Sequence, residues 1–270
     1  MTKVELVFSD IDGTLLNSKH EVTAEASQII QDLVKKGTKI ILASARPPGA
    51  MVSIADEVRL SSPLVCFNGA LITQYTEGSF DDLYSLTLER LDALQLYQTI
   101  STNFPDISFN IYSSERWYVE QEDEWVKQEA AITKMDPESI SMEYFLKEHL
   151  PVHKILCMGN PDDIQKLEDE LARANLSNIS YYRSKDTYME IVNNQVSKLG
   201  ALHFLCEKYG VALANTLAIG DNFNDMPMIM HAGKGIAMGN APDEVKQAAD
   251  CVTDTNDENG FYKALAMSLG

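Results

Sequence analysis

The chain has 270 residues, 45% of them hydrophobic, enough to bury a full core as one large or two modest domains. Forty acidic residues against 22 basic ones give a formal charge of −18, a field that repels nucleic acid and anionic membrane surfaces. Four cysteines (Cys66, Cys157, Cys206, Cys251) lie scattered in apolar stretches with no C-x-x-C pair, there is no N-terminal apolar h-region and no eighteen-residue apolar run, so neither secretion nor membrane insertion is expected and the expected location is cytoplasmic.

In chain order, Leu6, Val7 and Phe8 open a strand that breaks into a turn at Gly13. Apolar residues at Ala26, Ile29, Ile30, Leu33 and Val34 predict an amphipathic helix over 23–36, ending at Gly37. A buried-type strand over 39–43 follows, then Ser44-Ala45-Arg46 and a Pro47-Pro48 pair suited to a helix start. A further strand over 64–67 runs into Asn68-Gly69-Ala70. This alternation predicts an α/β fold with a mostly parallel, Rossmann-like sheet.

From about Tyr84 to Ile191 the rhythm changes. Strands over 107–112, 117–119 and 153–158, a helix over 162–174 and two late strands lie close enough to suggest antiparallel pairing. The α/β rhythm then returns, with a helix over 197–208, a strand over 216–219, a Gly220-Asp221 turn and a helix near 225–231. A discontinuous core domain, 1–83 and 192–270, interrupted by an inserted α+β cap domain over 84–191, accounts for that order. The acidic stretch 120–124 reads as a solvated helix face, and Met226, Met228 and Met230 as local packing. The five histidines (20, 149, 153, 203, 231) have no ligand spacing, so none is assigned to metal.

Ligands of an open parallel sheet sit beyond the carboxyl ends of its strands. The first strand delivers Asp10 and Asp12, whose i, i+2 spacing turns both carboxylates toward one site on an extended backbone. One can attack phosphorus while the other handles the leaving-group proton, given a divalent cation to offset the repulsion; an acidic turn capping a strand has the same sequence. The second strand delivers Ser44 and Arg46, a hydroxyl and a guanidinium fork suited to phosphate oxygens. The strand at 216–219 delivers Asp221, with Asn224 and Asp225 in the following turn, and Lys198 opens the helix after the inserted unit. Each part alone also reads as ordinary capping, turn or surface chemistry. Their joint appearance at successive strand ends selects a Mg²⁺-dependent phosphoryl-transfer site.

At these residues the chain resembles the haloacid dehalogenase-like hydrolases, and among them the Cof-type phosphatases (subfamily IIB) that carry a large α/β cap. Asp10-Ile11-Asp12-Gly13-Thr14-Leu15 is similar to the first motif of that family, Ser44 to the second, Lys198 to the third and 220–225 to the fourth. Asn68-Gly69-Ala70 resembles the segment preceding the cap. Ala45 and Leu199 depart from the glycines frequent at those places, which bears on the shape of the pocket. The resemblance implies that Asp10 is the nucleophile and Asp12 the acid and base. It implies Mg²⁺ held by the Asp10 carboxylate, the Asp12 backbone carbonyl and the Asp221 carboxylate, with Asp225 supporting from behind. Ser44, Lys198 and Asn224 would hold phosphoryl oxygens, and Arg46 would contact substrate or cap.

The inserted unit would set substrate choice, with Trp117, Tyr118 and Arg183-Ser184-Lys185-Asp186 as candidates that packing explains equally well. The expected substrate is a small phosphorylated metabolite, a sugar phosphate first and a phosphorylated cofactor next. A sugar phosphomutase and a non-catalytic phospho-ligand sensor are the alternatives; Asp12 speaks against the sensor, which needs no leaving-group acid. The oligomeric state is not legible in the sequence.

Overall fold

The computed structural model describes residues 3–267 apart from His149 and Asn175; His149, one of the histidines considered above, therefore lies outside the described residues. In chain order the elements are β1 (Leu6–Asp10), α1 (Ala24–Lys35), β2 (Lys39–Ala43), α2 (Pro48–Glu57), β3 (Leu64–Cys66), β4 (Leu71–Thr76), β5 (Ser79–Ser85), α3 (Arg90–Asn103), β6 (Ser108–Ser113), β7 (Arg116–Val119), α4 (Glu124–Thr133) and β8 (Glu138–Ser139). They continue with α5 (Met142–Lys147), β9 (Lys154–Met158), α6 (Pro161–Ala174), β10 (Ile179–Lys185), β11 (Tyr188–Asn193), α7 (Lys198–Tyr209), β12 (Thr216–Gly220), α8 (Met226–His231), β13 (Lys234–Ala237), α9 (Asp243–Ala248), β14 (Cys251–Val252) and α10 (Gly260–Ala266). The chain divides into two compact units, 1–83 with 197–270, and 84–196.

The first unit holds an eight-stranded sheet in the order β14-β13-β12-β1-β2-β3-β4-β5. Every residue of β1 is buried, as a parallel strand covered on both faces requires. Its neighbours are both parallel, with Ser9 level with Ile219 of β12 and Asp10 level with Ala43 of β2. The chain leaves β1 toward β2 on one side and reaches β12 on the other, so β1 lies at a reversal of strand order. Such a reversal opens a crevice past the strand ends. The flanking helices start where their caps dictate: Thr23 accepts from the Ala26 N–H at the head of α1, and Ser197 accepts from the Gly200 N–H at the head of α7. Ile29, Ile30 and Leu33 bury the inner face of α1, each contributing about 1.5–3 kcal/mol.

The sheet is less uniformly parallel than its sequence rhythm suggests. After β3 the chain reverses through 67–69 into β4, which pairs antiparallel with β3, and β5 extends that edge. The hairpin turns at Glu77 and Gly78, both at positive φ, 52° and 88°. It falls outside the elements expected from the sequence.

The second unit is a six-stranded sheet in the order β10-β11-β9-β6-β7-β8, antiparallel throughout except where the short β8 runs parallel to β7. Ile111, Ile155, Cys157, Met189 and Ile191 of this sheet pack with Leu96 and Ile100 of α3 and Leu167 and Leu171 of α6 in one buried cluster. The unit ends at 196 rather than 191, because β11 continues to Asn193 while paired with β10. The acidic stretch 120–124 is a loop and not a helix face. Asp123 caps α4 by accepting from the Val126 N–H, and only Glu124 is helical. Trp117 is fully buried, donates to Asn110 Oδ1 at 3.1 Å and stacks on Tyr112 at 5.9 Å. Packing thus accounts for it. Arg183 is tied within the unit to Glu168 and Gln165, at 3.1 and 2.7 Å. Met228 is buried as expected, whereas Met230 is 56% exposed.

Candidate active site

The carboxyl ends of β1 and β12 and the first residue of α7 converge on one cluster. Asp10, the last residue of β1, accepts a hydrogen bond from Lys198 Nζ on its Oδ1. The same ammonium donates to Asp225 Oδ1 at 2.6 Å, and all three side chains are buried. Asp225 Oδ2 accepts the backbone N–H groups of Asp221 and Asn222, each at 3.0 Å, and so closes the 220–225 turn on itself. A Cβ at Gly220 would stand 2.4 Å from that of Asp225, which accounts for glycine there. Asp221 is held from the other side by Thr14 Oγ1 at 3.1 Å and by Asn240 Nδ2 at 3.3 Å.

This is a site of excess negative charge. One carboxylate oxygen from each of Asp10, Asp221 and Asp225 lies within 4.8 Å of the others, with a single ammonium among them. Burial pushes the Asp10 carboxyl well above the ordinary carboxylate range; Lys198 pulls it down, while Asp225 and Asp221 add to the rise. Burial, then the Asp225 charge, raises Asp221 to about 6. Burial works against the charge on Lys198, but Asp10 and Asp225 outweigh it and hold the ammonium charged above its ordinary range. An all-oxygen donor set that is short of positive charge suits a hard divalent cation.

Asp12 lies in a different environment two residues on. Its side chain is 43% exposed and takes the Arg46 fork on both oxygens, Nε to Oδ2 at 2.8 Å and Nη2 to Oδ1 at 2.6 Å. That pairing, more than the burial that opposes it, keeps the guanidinium firmly protonated. His20 Nδ1 stands 3.9 Å from Asp12 Oδ1. Ser44, buried at the end of β2, accepts the Arg46 backbone N–H on its Oγ at 3.2 Å. Asn224 Nδ2 donates to Asn68 Oδ1 at 3.0 Å.

The structure thus gathers Asp10, Lys198, Asp221 and Asp225 into direct contact or close approach, with Ser44 at the neighbouring strand end. Arg46, expected to contact substrate or cap, pairs with Asp12. Thr14, Asn68 and Asn240 join the site without having been singled out as site residues. Asn240 bridges Asp221 and the Gly13 carbonyl, the latter at 2.9 Å, and itself accepts the Asn256 N–H at 3.0 Å. The signal for it was its position three residues after β13, a strand end to which the same search applies. Asn68 likewise follows β3.

The family description of the haloacid dehalogenase-like hydrolases matches residues 7–265. A putative phosphatase of Haemophilus influenzae is 33% identical over 260 residues, 96% of each chain. The 5-amino-6-(5-phospho-D-ribitylamino)uracil phosphatase YcsE of Bacillus subtilis is 29% identical, over 97% of this chain and 94% of its own. Among solved structures, a haloacid dehalogenase-like hydrolase from Bacteroides thetaiotaomicron is 32% identical and superposes with a TM-score of 0.87, covering 98% of this chain and 99% of its own. This chain belongs to the haloacid dehalogenase-like hydrolases, in their Cof-type group, and is a phosphatase.

Proposed function

We propose that the protein hydrolyses small phosphorylated metabolites, sugar phosphates foremost, in a Mg²⁺-dependent reaction that passes through a phosphoryl group on Asp10. The observation that carries this reading is the convergence of Asp10, Lys198, Asp221 and Asp225 at adjoining strand ends, with Asp12 nearby in a separate, more exposed setting. The YcsE relative is named as the phosphatase of a uracil that carries a 5-phospho-D-ribitylamino group, which supports a small phosphorylated metabolite as the substrate class here.

The carboxylate of Asp10 attacks phosphorus as the bond to the leaving alkoxide breaks, and Asp12, protonated once the Arg46 fork has released it, gives that oxygen its proton. Water then attacks the phosphorus of the aspartyl-phosphate, Asp12 takes the proton from water, and the Asp10 carboxylate is released. Lys198, Ser44 and Asn224 hold the phosphoryl oxygens that do not react, and the Lys198 ammonium stabilises the charge that develops on them in the transition state. The Asp10 and Asp221 carboxylates and the Asp12 backbone carbonyl would hold Mg²⁺, which supplies the positive charge that keeps Asp10 ionised and draws electron density from phosphorus. Asp225, with both oxygens already accepting from Lys198 and the turn, supports Lys198 and Asp221 instead of coordinating.

The test is phosphate release from a panel of sugar phosphates, nucleotides and cofactor phosphates, with Mg²⁺ or chelator. Wild-type turnover that disappears with chelator, and a fall on the order of a thousandfold or more in Asp10→Ala, is the expected result. Turnover retained in Asp10→Ala would sink the reading.

A further inference from the structure

The turn that follows β3 is held in a conformation its residues do not favour. Phe67 and Asn68 have φ of 51° and 57°, and Gly69 follows at 105°. Asparagine and glycine tolerate the left-handed region, but an aromatic residue there is strained. The surrounding structure over-determines the turn. The Phe67 N–H donates to the Arg46 carbonyl at 3.1 Å, the Asn68 N–H to the Ser44 carbonyl at 2.8 Å, and the Ala70 N–H back to Phe67 at 3.2 Å. A Cβ at Gly69 would come within 2.5 Å of the Ser197 carbonyl oxygen, so the turn also packs against the residue that caps the Lys198 helix.

One turn therefore touches the backbone of Ser44 and the cap before Lys198, and its single polar side chain receives the amide of Asn224. These are the three residues assigned to the phosphoryl oxygens. Asn224 is exposed, and an exposed amide on a loop rotates unless something holds it. Asn68 Oδ1, on a buried residue fixed by its own backbone hydrogen bond, holds one N–H of Asn224 and so sets the plane of that amide. We infer that Asn68 is a positioning residue for phosphate recognition, acting through Asn224. This rests on the reading of Asn224 as a phosphate-holding residue.

The backbone conformation suggests the variant. Asn68→Gly keeps the left-handed geometry at no steric cost while removing the side chain. It is compared with Asn224→Ala and with the double variant, reading KM and kcat for a turned-over phosphomonoester, the inhibition constant of inorganic phosphate and the melting temperature. Asn68→Gly is expected to raise KM and the phosphate inhibition constant by about three- to tenfold, with kcat and melting temperature little changed, because orienting a donor to a charged oxygen affects ground and transition states alike. The double variant should equal Asn224→Ala, since a residue acting only through Asn224 has nothing left to position.

Wild-type KM and phosphate inhibition in Asn68→Gly, or effects that multiply in the double variant, would overturn the inference. If Asn224→Ala itself binds phosphate normally, the reading of Asn224 falls and takes the inference with it; a defective Asn224→Ala beside a normal Asn68→Gly removes the inference alone.

Discussion

Lys198 is the residue on which the charge balance of the site turns. It is fully buried, yet remains charged because two carboxylates face it, at Asp10 and Asp225. Removing one partner of a buried pair leaves the other uncompensated, a loss of roughly 3–5 kcal/mol. Lys198→Met should therefore lose most activity and, in urea unfolding at pH 7.5, a similar amount of stability. The deficit should shrink toward pH 5 as the stranded carboxyls take up protons. Asp221 supplies a second pH effect. Its folded value of about 6 lies above the ordinary 3.8, so its contribution to stability is present in acid and is lost as pH rises through about 6. In chelator, the melting temperature should fall between pH 5 and pH 7.5. Excess Mg²⁺ should reverse that fall, raising the melting temperature more at pH 7.5 than at pH 5, because protons compete for the same oxygens. Equal Mg²⁺ shifts at both values would argue against Asp221 as a ligand.

At the scale of elements, the site depends on how each strand ends. Gly13 has φ of 79°, and a Cβ there would meet Asp221 Oδ2 at 2.4 Å. Gly13→Ala should cost about 1–2 kcal/mol for the left-handed backbone and should also displace Asp221. A Mg²⁺ titration of activity in that variant should show weakened metal dependence beyond the loss of stability. The head of α1 makes the contrasting case. Thr23→Ala removes a cap hydrogen bond of 3.2 Å and should lower stability by about 1 kcal/mol while leaving kcat and KM unchanged, since α1 contributes no side chain to the acid cluster. The strained Phe67 illustrates the same dependence. Sparsely populated backbone of this kind costs about 1–3 kcal/mol per residue and survives where neighbouring hydrogen bonds enforce it.

On the scale of the whole molecule, the acidic cluster belongs entirely to the unit formed by 1–83 and 197–270. Hydrogen exchange with and without Mg²⁺ should slow at the peptides spanning 10–14 and 220–225 and leave the β6 and β9 amides of the other unit unchanged. The overall charge of −18 opposes an anionic substrate, so the proposed function requires local donors, Lys198 and Ser44 among them, in place of long-range attraction.

Much of this organisation was legible in the chain. The helical spacing of apolar residues over 23–36 and the buried run of β2 are local signals, and local signals act through propensity and periodicity within a few residues. So is the placing of Asp10, Ser44, Lys198 and Asp221 at element ends, because turn chemistry and strand period together say where a side chain leaves the sheet. The β4–β5 hairpin escaped because its alternation follows a buried strand with no helix between, and the acidic 120–123 loop because capping and helix-face acids look alike before the cap is located.

The tertiary structure alone decided the partners. Arg46 reaches Asp12 instead of open solvent, Asn224 meets Asn68 from 156 residues away, and Asn240 joins Gly13 to Asp221. These pairings depend on strand order, with β12 and β2 on opposite sides of β1. Sequence spacing carries no such information, since a hydrogen bond forms only where the fold brings donor and acceptor within about 3 Å at a workable angle.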